Sequence, residues 1–345
     1  MKSKYLKLLP ILLSIVILSN SCQHQEERRQ PNISKVKSPK QTIRLEQELY
    51  KIPAGETRQG LLQIEKKYPE LLSLFLKGIM NINDTSKNQN YTMKVMDEYL
   101  HHPQMIALND TIQLVFKNFN TIEKELDLLI QNYAYYFPQN PRIQLFTYTS
   151  QFGPRAFFYP PYLGIGLDLY LGKDYKYYAS MGFPNFFIQR LEKKYIATDA
   201  AFILVQDMKD EPLKRGATLL DMMIYYGKIY YVASMLLPER KLADFFYYTD
   251  QNWKWCKDNE KQIWSFFIDG DWLYDNSYLN YSKFIEDAPT TLGMPAGAPD
   301  RVGRWTGYQI VKKYMEKYPK TSLTELINLT SGQEILTKSG YKPFK

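Results

Sequence analysis

The stretch "MMIYYGKIYYVASMLLP", residues 222–238, decides how this chain is read. It is apolar and rich in tyrosine, and it ends at Pro238. That length and composition predict a buried helix rather than a strand. Two residues at its centre do not fit a plain core helix: Gly227 and Lys228. Glycine inside a helix costs about 0.5–1 kcal/mol relative to alanine, so Gly227 belongs where a side chain would collide with a neighbouring element. Tyr226, beside it, is expected to face an internal groove. The stretch is either core alone or the wall of a site.

Working outward, helices dominate. Residues 68–82 carry Leu71, Leu72, Phe75 and Ile79 at helical spacing, and residues 120–137 repeat the pattern. Asn120, with Glu123 three residues on, predicts a capping box at the start of the second helix. Residues 252–268 place Trp253, Cys256, Glu260, Ile263 and Phe267 in one helical register, and residues 300–319 form a helix stopped by Pro319. Between these blocks, from Pro141, the period changes. "RIQLFTYTSQF" and "RAFFYPPYLGIGLDLYLG" alternate, with Leu163, Ile165, Leu167 and Leu169 on one face and Gly164 and Gly166 on the other. They predict a small antiparallel sheet around residues 142–171. The fold class is α+β, mostly helical.

The N-terminus is a different kind of sequence. Lys2, Lys4 and Lys7 precede an apolar run from Leu8 to Leu18, shorter than the roughly 20 residues of a membrane span and suited to a secretory signal. Ser19, Asn20 and Ser21 lead into Cys22, the arrangement of a bacterial lipoprotein signal whose cysteine receives lipid. Residues 1–21 are thus expected to be a signal peptide and residues 22–45 a polar tether after lipidated Cys22. Residues 46–345 are expected to form a single domain, attached to a membrane and outside the cytoplasm. Cys256 is the other cysteine, so with Cys22 lipidated no disulfide within the chain is available and stability must come from the core. That core must accommodate many of 29 tyrosines and 18 phenylalanines, with phenol hydroxyls reaching polar partners. The net charge of +8 is spread along the chain, and no nucleic-acid motif accompanies it.

Chemistry is sparse. There is neither a G-x-S-x-G elbow nor a P-loop. The histidines are His24, His101 and His102, and none pairs at the four-residue spacing that lets two imidazoles share a zinc ion. Metal and cofactor are therefore not expected, and no catalytic residue is assigned. Asp269, Asp271 and Asp275 fall short of a calcium loop. Asp168, in an apolar segment, needs a partner if buried, with Arg155, Arg190 and Arg304 as candidates.

Three segments, "QFGPRAFFYPPYLGIGLDLYLGKDYKYYASMGFP", "DMMIYYGKIYYVASMLLP" and "RVGRWTGYQIVKKYMEKYP", together with the lipoprotein signal, resemble the gliding motility lipoprotein GldB family. The resemblance implies a cell-envelope lipoprotein linked to surface gliding and its protein-secretion machinery, with other envelope proteins as partners. It implies no enzymatic activity. A more distant likeness connects the chain to proteins with a zinc-peptidase motif, hence a zincin-like helix order. In them H-E-x-x-H precedes a helix whose Glu stands before a Gly. Here "TDAAFILVQDM" lacks both histidines and Tyr226 occupies the place of the Glu, while Gly227 and Lys228 remain. The leading expectation is an interaction protein with a groove or partner surface involving Arg155, Asp168, Tyr226, Lys228 and Arg304. The alternatives are an envelope hydrolase, peptidase-like or glycan-acting, that uses carboxylates and no zinc, and a glycan-binding protein.

Overall fold

In a computed structural model describing residues 30–37, 40–82, 89–208 and 216–343, the chain enters at its sheet. Ile43–Arg44 forms β1, parallel to β2 (Gln144–Tyr148), with Ile43 opposite Phe146. Cys22 and the segment expected to be a signal peptide lie outside the described residues. After β1 come α1 (Leu45–Tyr50), α2 (Thr57–Lys67) and α3 (Pro69–Leu74), the last running into a π-helical turn at Phe75–Ile79. Two further helices, α4 (Gln89–His101) and α5 (Pro103–Val115), precede α6 (Asn120–Tyr136), which leads into β2. The expected capping box of α6 does not form. Asn120 is already helical, its N–H is taken by the Asn118 side chain, and Glu123 instead accepts from the Thr42 backbone at 3.1 Å.

The sheet departs from the antiparallel expectation. β3 (Ala156–Tyr159) and β4 (Tyr162–Gly166) form an antiparallel hairpin, but β2 pairs with β4 in parallel, Leu145 opposite Leu163. Among the described residues the strand order is β1-β2-β4-β3, a mixed sheet. The physical reason is that helices cover both faces, the setting in which parallel pairing occurs. Leu145, Leu163 and Ile165 join the main core, whereas Phe146 and Tyr148 turn to the core of the N-terminal helices. Gly166 meets the Pro154 carbonyl, and Gly164 faces the rings of Phe146 and Phe157. Strand β4 also ends earlier than its alternation suggests: Leu167–Leu169 is a 3-10 turn, so Asp168 leaves the sheet.

The second half of the chain builds the main body. It begins with the short helices α7 (Tyr177–Ser180) and α8 (Asn185–Ile188), then α9 (Ile196–Gln206) and the long α10 (Leu219–Leu236). Thr218 and Asp221 cap α10 reciprocally. Next follow α11 (Leu242–Phe245), α12 (Asp250–Asp258), α13 (Glu260–Asp269) and α14 (Tyr278–Ile285). The single helix expected over 252–268 is broken at Asn259, whose side-chain amide donates to the Trp255 carbonyl at 2.8 Å. The chain closes with α15 (Val302–Lys317), α16 (Leu323–Asn328) and α17 (Gly332–Ser339).

Helix α10 is central, and its most extensive helix contact is with α15. The two backbones touch at Gly227 and Gly307. A Cβ on Gly227 would overlap the Gly307 carbonyl and lie 2.9 Å from Tyr308 N; one on Gly307 would overlap the Met223 carbonyl. Neither neighbour is a side chain that can rotate away. This accounts for the glycine inside "IYYGKIYY". The tyrosine expectation also holds in part: Tyr99, Tyr178 and Tyr281 are buried and donate to the carbonyls of Thr149, Asp168 and Ala217.

Gly227→Ala and Gly307→Ala should each lower the unfolding free energy by about 1–3 kcal/mol, the range for overpacking a well-filled contact. Urea denaturation checks this, and a variant as stable as the parent would mean that the helices do not meet there.

Candidate functional site

Helices α9, α10 and α15 and strand β3 enclose a cavity of about 250 Å³. Arg155, at the entry to β3, stands on one side, and Tyr226 and Arg304 on another. Thus three of the five residues expected at a groove come together. The Arg304 guanidinium carbon lies 3.9 Å from the Tyr226 ring centroid, a cation–π contact.

The other two lie elsewhere. Asp168 sits fully buried beyond the end of β4, where its carboxylate accepts from Ser150 N at 2.8 Å, Ser150 Oγ and Phe152 N. Burial pushes its carboxyl above the ordinary range despite those donors. It makes no ion pair with Arg155, Arg190 or Arg304, because backbone and hydroxyl donors of the neighbouring loop after β2 meet its need. Lys228 turns away from the cavity and donates to the carbonyls of Ile327 and Leu329, at 3.2 and 2.7 Å. It ties α10 to the C-terminal end of α16, where a cation is favoured. Cys256 is a buried core residue, as its place on an apolar helix face predicts, and burial pushes its thiol up, which disfavours the thiolate.

The carboxylates of the site were not singled out from sequence. Asp199, on α9, accepts from Tyr170 at 2.7 Å and from Tyr247, and stands 3.3 Å from Arg155 Nη1. Burial, with Asp199 adding to it, pushes both phenols well above their ordinary range, so they remain donors. On the far wall Asp287 meets Arg190 at 2.9 Å and Arg301 at 3.2 Å, and those arginines also hold Asp300. Burial alone would raise Asp287, but Arg301, Arg190 and Arg304 outweigh it and hold its carboxyl at about 2. The available signal was a charged residue inside an apolar helix for Asp199, in "TDAAFILVQDM", and the closeness of Arg301, just before α15, to Arg304 in its first turn. That α9 stretch and α10 line the same cavity, through Asp199, Phe202 and Tyr226. Among the described residues no three His, Cys, Asp or Glu side chains gather where they could hold a metal ion.

The fold and this recess define a helical α+β protein with an arginine- and phenol-lined cavity, to whose walls, among the described residues, neither histidine nor cysteine contributes. The family model described as gliding motility protein GldB matches residues 26–343, nearly the whole chain. The chain belongs to that family, and its role is in gliding motility. No curated protein and no solved structure matches it. Among the described residues, no helix is long and apolar enough to cross a membrane.

Because the folded-state value of Asp287 lies below its ordinary 3.8, its network stabilises the fold above about 3.8, and that contribution is lost as pH falls through about 2. The unfolding midpoint of the parent should therefore fall more steeply across this window than that of Asp287→Asn. Parallel curves would remove Asp287 from the stabilising network.

Proposed function

We propose that this protein is a lipid-anchored component of the cell envelope that serves gliding motility, and the associated protein secretion, by binding rather than by catalysis. The observation that carries the reading is how the polar groups of the cavity are used. Each acid lining it already accepts from an arginine or a phenol. A general base needs a carboxylate within reach of a substrate proton and a value near the working pH; Asp287, held at about 2, is far from it. Asp168, on which a carboxylate hydrolase would have rested, lies outside the cavity lining. The guanidiniums and aromatic rings, by contrast, suit recognition of a ligand or partner.

The anchoring part of the reading rests on the signal anatomy around Cys22. Mass spectrometry of the mature N-terminus should find a diacylglyceryl-modified Cys22, and Cys22→Ala should release the protein from membranes and stop gliding. A water-soluble mature protein cleaved at another site contradicts the anchor. Tyr226→Phe, which removes only a hydroxyl, should leave stability and gliding near normal, since the ring still faces Arg304. If that variant folds and localises normally yet abolishes gliding, the phenol itself is chemically active or touches the partner, and the hydrolase reading gains.

A further inference from the structure

Arg155, Arg301 and Arg304 line the cavity and Arg190 stands behind Asp287; the four fall into two pairs. Arg190 and Arg301 are held on several sides: Arg190 by Asp287 and Asp300, Arg301 by both acids and by the Phe246 carbonyl at 2.5 Å. Arg155 and Arg304 are different. Arg155 Nη1 is close to Asp199 but misaligned with it, and this buried N–H has no hydrogen-bond partner. Arg304 Nε is likewise buried without one. Arg304 also faces the Tyr226 ring, helps to lower the Asp287 carboxyl through its charge, and meets Glu286, whose carboxylate at 3.6 Å lies outside hydrogen-bond range. Buried charged donors are normally paired, and an exception calls for an explanation. A third such guanidinium nitrogen, Arg44 Nη2, belongs to β1, but Arg155 and Arg304 both line the same cavity.

We infer that this cavity binds a carboxylate carried on a small apolar or aromatic group, with Arg155 and Arg304 donating to its oxygens. Guanidinium presents planar donors that match a flat oxyanion. Asp199 and Asp287 stand in the same walls and would repel a doubly charged phosphate more strongly than a singly charged carboxylate. Phe202, Ile229 and Tyr230 supply an apolar surface for the attached group. A volume of about 250 Å³ admits something the size of one amino acid, not a folded chain or a polysaccharide. A free small acid and the C-terminal residue of a peptide share this chemistry. The inference deepens the binding reading above and rests on it.

The test is calorimetric titration of the purified full chain in detergent with N-acetyl-phenylalanine, its C-terminal amide, 3-phenylpropionate and inorganic phosphate. The acids should bind, the amide should bind at least about tenfold more weakly, and Arg304→Gln and Arg155→Lys should each weaken the acids by about tenfold or more. N-acetyl-phenylalanine binding tighter than 3-phenylpropionate points to a chain end, and the reverse to a free acid. Equal binding of acid and amide, binding of phosphate alone, or no binding of any probe overturns the carboxylate. If a variant fails to fold, the acid-against-amide comparison on the unaltered chain decides. Failure with every probe, in a protein whose gliding still requires Arg304, sinks this inference and leaves the binding reading standing.

Discussion

The contact of Gly227 with Gly307 sets the geometry of everything around the cavity. Two helix backbones approach until carbonyl and Cα are in contact, which only residues without a Cβ permit. Tyr226 is the neighbour of one glycine and Arg304 lies one turn before the other, so the crossing itself brings ring and guanidinium to 3.9 Å. A side chain at either glycine would wedge the helices apart and open this contact together with the cavity wall. The site is therefore a consequence of packing in the core and not an addition to the surface.

Around that crossing the protein concentrates charge that it must neutralise. Arg190, Arg301, Asp287 and Asp300 form an alternating network in which each acid touches both arginines. Such a network is costly to bury unless every partner is present, and removing one member leaves another uncompensated. It places Arg301 and Arg304 at the start of α15, the positive end of that helix. The phenols complete the arrangement. Tyr170 and Tyr247, held protonated, both donate to Asp199.

Much of this was legible in the chain, for physical reasons. Gly227 inside an apolar helix announced a close approach, and Tyr226 was expected at an internal groove; both are found. The helical periods of residues 120–137 and 300–319 located α6 and α15. Alternation in residues 142–171 revealed strands but not their direction, because a two-residue period is the same in parallel and antiparallel sheets. Direction was set by helices on both faces, which no local pattern encodes. Asp168 misled because burial of a carboxylate was anticipated but its solution was sought among distant arginines, when Ser150 and Phe152 in the adjoining loop supply the donors. Asp199 and Asp287 were invisible as a pair, one on α9 and the other in the loop between α14 and α15, and only the folded chain brings them to the same cavity.

The central claim is that the arginines of this cavity recognise something gliding requires. The most direct measurement is the motility of cells whose only copy carries Arg304→Gln, scored beside the membrane level and unfolding midpoint of the variant. Normal level and midpoint with loss of gliding is the predicted result. Gliding at the parental speed, with Arg304 replaced and the protein intact, would contradict the account.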